Sequence, residues 1–127
     1  MNYRHTKKVP LSFADAIEKT KDALAKEGFG ILTEIDVAAT LKKKLDVEHG
    51  PYHILGACNP ALAHQALQAE QEIGLFLPCN VIVYQHEGDV FVSTIRPVAA
   101  MSMIDNAALA AVAAQAEEKL LAAIEAI

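Results

Sequence analysis

The stretch Asn80-Val81-Ile82-Val83-Tyr84-Gln85-His86-Glu87-Gly88-Asp89-Val90-Phe91-Val92-Ser93-Thr94-Ile95 settles the fold class. Two runs rich in β-branched residues, 80–85 and 90–95, flank the turn-forming cluster His86-Glu87-Gly88-Asp89, which reads as an antiparallel hairpin. Val81 and Val83 point one way, Ile82 and Tyr84 the other. On the second run Val90 and Val92 stand against Phe91 and Ile95. A hairpin with one wet face alternates more cleanly than this. Both faces are therefore expected to be covered. A chain of 127 residues has few helices to spare, so a second copy is the expected cover for one face.

Working upstream, Pro78 blocks any helix from running into the hairpin. Before it, Asn59-Pro60 opens a helix, because Asn is a strong N-cap and Pro suits the first helical turn. That helix is expected to reach about Glu70 or Glu72, with Gly74 as its stop. Tyr52 to Ala57 reads as a strand. Asp36 caps a short helix with Val37, Leu41 and Leu45 on its buried side, and Gly30 to Ile35 is the strand before it. The helix starting near Ser12 carries Phe13, Ile17 and Leu24 at helical spacing, and Gly28 ends it. Ser12 caps it, with Asp15 placed to reach back and Asp22–Lys26 spaced as an i,i+4 ion pair. Tyr3 to Val9 is a candidate edge strand.

Downstream, Arg96-Pro97 breaks the second hairpin strand. A loop with Met101 and Met103 leads to a long helix capped by Asp105 or Asn106 and ending near Ala126. Its apolar stripe is Leu109, Val112, Ala113, Ala116, Leu120 and Ile124. The expectation is one α+β domain over residues 1–127, ordered β-α-β-α-β-α-β-β-α. It has a mostly antiparallel sheet of four to five strands and about four helices.

Composition narrows the function classes. At 53% hydrophobic residues the chain has material for a core, which excludes disorder. The net charge of −5 speaks against nucleic acid, whose binders carry a basic stripe. The only basic run, Lys42-Lys43-Lys44, falls in a last helical turn, where the helix dipole favours positive charge. Residues 1–10 hold no signal-peptide core, and Ala107 to Ala116 is shorter than the roughly 20 apolar residues a spanning helix needs. A cytoplasmic protein with reduced thiols and no membrane partner is expected.

Two groups of residues stand out chemically. Cys58 sits beside the N-terminus of the third helix, where unpaired amides stabilise an anion and lower a thiol pKa. A small buried apolar cysteine at a strand end is the plainer explanation of it. If Cys79 comes close, His53 or His64 could complete a thiolate–imidazole metal set, although no C-x-x-C spacing is present. Glu34 and Asp36, two apart on one strand, point to one side and could share acid–base work. Asp36 already has a capping role. Glu34, among Ile31, Leu32 and Ile35, needs a partner, for which Arg96 is a candidate. No nucleophile elbow, P-loop or dinucleotide fingerprint occurs.

Gly28-Phe29-Gly30 with Glu34-Ile35-Asp36, then Cys58-Asn59-Pro60 and Leu77-Pro78-Cys79, make a pattern that resembles the DUF302 family of small prokaryotic proteins, from about Val9 to about Pro97. The resemblance implies a compact α+β domain that associates as a homodimer. The family has no established activity, so no catalytic residue, cofactor or metal carries over. The functional expectation is a homodimeric, non-enzymatic module. It would hold a small ligand or metal near Glu34, Asp36, Cys58, Asn59 and Cys79. A thiol-dependent redox protein using Cys58 with Cys79, or a structural, partner-binding subunit, are the alternatives.

Overall fold

The computed structural model describes residues 2–127. Along the chain run β1 (Arg4–Val9), α1 (Phe13–Lys26), β2 (Gly30–Asp36), α2 (Val37–Leu45), β3 (Tyr52–Cys58) and α3 (Pro60–Ala69). A 3-10 helix (Gln71–Phe76) follows, then β4 (Cys79–His86), β5 (Asp89–Ile95), α4 (Pro97–Ala100) and α5 (Ala107–Glu125). The strands form one sheet in the order β1-β5-β4-β3-β2, every neighbouring pair antiparallel. The hairpin is tighter than expected. His86 pairs with Asp89, so Glu87 and Gly88 alone make the turn, both with positive φ (53° and 85°). That is the backbone of a type I′ turn, whose twist matches the flanking strands.

The alternation in β4 and β5 sorts residues as the sequence suggests. Val81, Val83, Val90 and Val92 are buried, under α1 and α5, while Ile82, Tyr84 and Phe91 are half-buried on the other face; Ile95, at the strand end, is half-buried and also packs against the main core. With them Leu24, Phe29, Leu55, Leu120 and Ile124 form the main core cluster. A second cluster gathers Leu62, Ala66, Ile73, Leu109, Val112 and Ala113 between α3, the 3-10 helix and the first half of α5.

The helix ends follow their local chemistry. Ser12 Oγ accepts the Asp15 amide at 3.1 Å. Gly28, at φ 85°, closes α1 in a Schellman arrangement. Its own N–H donates to Ala25 O, and the Phe29 N–H reaches back to Leu24 O at 2.9 Å. Asn106, rather than Asp105, caps α5 and accepts from the Leu109 N–H at 3.0 Å.

Four local expectations change. Gly74 does not stop a helix. Instead α3 ends at Ala69, Glu70 turns extended and accepts from the Glu72 N–H, and Gly74 lies inside the 3-10 helix so begun. Leu45 is 66% exposed: α2 lies chiefly against β2 and β3 and buries none of its residues fully. Asp22 and Lys26 form no ion pair among the described residues. The segment after Arg96-Pro97 begins as α4, with Pro97 at its first turn.

Gly56 carries a strict packing demand. A Cβ there would collide with Thr33 Oγ1 and stand 2.8 Å from Pro78 Cγ, a ring atom that cannot rotate away. Gly56→Ala is expected to lose about 1–3 kcal/mol of stability, the usual cost of overpacking. Urea unfolding checks it, and a wild-type midpoint would show that the approach of Pro78 is not rigid.

Candidate functional site

The sequence candidates separate into two places. Cys58, Asn59 and Cys79 come together; Glu34, Asp36 and His53 gather elsewhere. Along β2 the register sets Gly30 opposite Cys58 and Glu34 opposite Leu55. At the strand rise of about 3.3 Å per residue, four residues put Glu34 roughly 13 Å from the Cys58 level.

The first place is a narrow cavity of about 30 Å³ where α3 crosses α5 above the end of the sheet. Cys58 is the last residue of β3, and Cys79, opposite Ala57, is the first of β4. Both line the cavity, with Asn59, Leu62, Met101 and Val112 among the others. Its space exists because Ala57, Ala63, Ala66, Ala113 and Ala116 are small where larger side chains would fill it. Asn59 fixes the rim. Its Oδ1 accepts the Leu62 N–H at 3.3 Å, and its Nδ2 donates to Glu27 O at 3.5 Å, tying the end of α1 to the start of α3. Cys58 is half-exposed and Cys79 buried. Burial pushes the Cys79 thiol up to about 11, with Cys58 adding a smaller repulsion. Cys79 is thus a neutral thiol at physiological pH.

The second place is at the edge of the sheet. Glu34 Oε1 receives Lys21 Nζ at 2.9 Å and lies 3.3 Å from His53 Nε2. Phe13 meets the His53 ring edge-on, with centroids 6.3 Å apart. Glu34 is therefore no buried carboxylate. Its side chain is 43% exposed at edge strand β2, where Leu32 and Ile35 are exposed as well. Arg96 is not its partner. Arg96 Nη2 pairs instead with the nearly buried Glu117 at 3.1 Å, and Glu117 also accepts the Val98 N–H, which holds α4 on α5. Asp36, opposite His53, caps α2 by accepting the Ala39 N–H at 2.9 Å.

For a metal set, the register carries His53 to the far end of β3 from Cys58, and His64 is exposed on α3. Among the described residues no three His, Cys, Asp or Glu side chains are grouped to hold an ion. Sequence reasoning missed Lys21 and His53 as the partners of Glu34, because partners across a register leave no signal in spacing. No helix among the described residues is long and apolar enough to cross a membrane.

A five-stranded antiparallel sheet backed by two main helices, with a cysteine-lined cavity at one end, defines a small α+β domain. The chain matches the family described as "Domain of unknown function DUF302" over residues 5–127, and it belongs to that family. It is similar to the crystal structure of an uncharacterized conserved protein DUF302 from Bacillus stearothermophilus. The two share 31% sequence identity and a TM-score of 0.93 over 98% of each chain. No curated protein matches the chain.

The hydrogen bond from Lys21 chiefly holds the Glu34 carboxyl below its ordinary range, with His53 adding to it. A carboxylate so depressed stabilises the folded state above the ordinary glutamate range and loses that contribution as pH falls through the lowered value. Glu34→Gln is expected to cost less than about 1 kcal/mol at neutral pH, as exposed pairs do. The difference from wild type should shrink in acid and in high salt. Urea midpoints across pH check this, and a difference that grows toward acid would reverse the assignment.

Proposed function

We propose that this domain is a homodimeric binding module, and that the cavity walled by Cys58, Asn59 and Cys79 holds its small ligand or metal ion. The observation that carries this reading is the convergence of the two cysteines and the capping Asn59 on one cavity. Thiol–disulfide chemistry is the less favoured reading. Cys79, the partner thiol in that reading, is held at about 11 by burial and is a poor thiolate, and closing a disulfide with Cys58 needs one. Support for the second copy comes from the face of the sheet turned away from α1 and α5. Tyr52, Tyr84 and Phe91 stack in a row across β3, β4 and β5, with centroids 5.6 and 5.3 Å apart, beside half-exposed Ile54, Ile82 and Ile95. Leu32 and Ile35 add exposed apolar surface on edge strand β2. Clustered aromatic and aliphatic side chains of this kind dominate the energetics of protein interfaces.

A native mass spectrum of freshly purified protein is expected to show a dimer with added mass. Cys58→Ala should lose that mass while keeping the wild-type circular dichroism spectrum. Full retention by Cys58→Ala would remove the cavity from the reading. For the assembly, Phe91→Asp puts a charge in the middle of the aromatic row and is expected to shift the dimer to monomer in sedimentation. An unchanged dimer would place the interface elsewhere.

A further inference from the structure

The cavity has a more specific chemistry than its shape suggests. Three of the chain's five sulfur-bearing side chains line it: Cys58, Cys79 and Met101. They arrive from three segments, the end of β3, the start of β4 and the turn after α4. Cys79 pairs with Ala57, the residue before Cys58 at the end of β3, and both cysteines line the cavity. Met101 is held by its own turn, its N–H donating to Pro97 O at 2.9 Å and its carbonyl accepting the Ile104 N–H at 3.1 Å. It is buried, whereas Met103, two residues on, is 79% exposed. The rest of the lining is hydrocarbon apart from Asn59, with no carboxylate and no imidazole.

Size and donor type narrow what such a cavity takes. Sites for drug-sized organic ligands run to roughly 300–1,000 Å³, an order of magnitude more than the 30 Å³ here. Hard cations need oxygen ligands that the lining lacks. Structural zinc wants four nitrogen or thiolate ligands, and only two thiols are present. Two thiols and one thioether in a water-poor cavity suit a soft monovalent ion of low coordination number.

We infer that the cavity is a soft-metal site that takes one Cu(I) through Cys58 Sγ, Cys79 Sγ and Met101 Sδ. Binding exchanges the two thiol protons for one copper ion, releases them to solvent and leaves the copper oxidation state unchanged. The N-terminus of α3, directly after Cys58, turns the positive end of its dipole toward the resulting anionic complex. The assignment rests on the binding reading above and names the occupant of the same cavity.

The test is an anaerobic titration of the full chain with Cu(I) supplied from a competing chelator. It is followed by the copper–thiolate ultraviolet absorption, by native mass and by copper-edge X-ray absorption. One Cu(I) per chain with sulfur-only ligation is expected, and uptake is lost in Cys58→Ala and Cys79→Ala. Met101→Leu, which keeps the side-chain volume, should weaken binding about tenfold or more, the scale on which supporting groups tune metal affinity. Met103→Leu should leave it unchanged. Failure of the wild-type chain to take Cu(I) from the chelator overturns the assignment, as does uptake indifferent to Met101→Leu. If copper fails but the freshly purified protein carries a different added mass that Cys58→Ala removes, the copper assignment alone falls. If no added mass appears either, the binding reading falls with it.

Discussion

The contact on which most of the molecule depends is the one made by helix α5. Its 19 residues span about 28 Å at the helical rise of 1.5 Å per residue, long enough to reach both apolar clusters. Leu120, Ala123 and Ile124 close the main core over the sheet, while Leu109, Val112, Ala113 and Ala116 close the smaller one against α3 and the 3-10 helix. One helix therefore keeps the two clusters in register. Glu117, at the changeover between them, binds both Arg96 and the Val98 amide, so the end of β5 is anchored to the same helix. Removing one partner from so enclosed an ion pair leaves the other uncompensated, which is far costlier than losing a surface pair.

The alanines of that contact connect fold to site. Where α3 crosses α5, alanine lets the helices approach without filling the space at the end of β3 and β4. Protein interiors are otherwise packed to crystal density, so a residual cavity with two cysteines and a methionine in its wall is a departure from close packing that a single larger side chain would erase. Gly56, Pro78 and Gly28 shape the same corner. Gly56 admits the Pro78 ring and Thr33, and the left-handed Gly28 stands within 3.1 Å of Asn59 Nδ2, measured from where a Cβ would lie. The residues that carry the family resemblance are thus largely those that shape this corner, whatever occupies it.

The edge cluster of Lys21, Glu34 and His53 has a different character. Its groups are partly solvated and its charges are paired. It ties α1 to the outermost strand, an economical way to hold an edge that has a partner on one side only.

Sequence alone determined the elements, because their causes are local. Alternating valines, the Asn59-Pro60 and Asn106 caps, and Gly28 after α1 each act within a few residues of themselves. The same locality made Asp36 legible as a cap. The meeting of Cys58 with Cys79 stayed open, since the 21 positions between them say nothing about the register of β3 on β4. Glu34 shows the same limit. Its apolar neighbours Leu32 and Ile35 suggested burial, but β2 is an edge strand and all three stand partly in solvent. Only the tertiary structure decided which thiols share a cavity, that Met101 joins them while Met103 does not, and that Arg96 serves Glu117 rather than Glu34. Those pairings depend on how strands slide and helices cross, and the energies that settle them come from contacts between residues far apart in the chain.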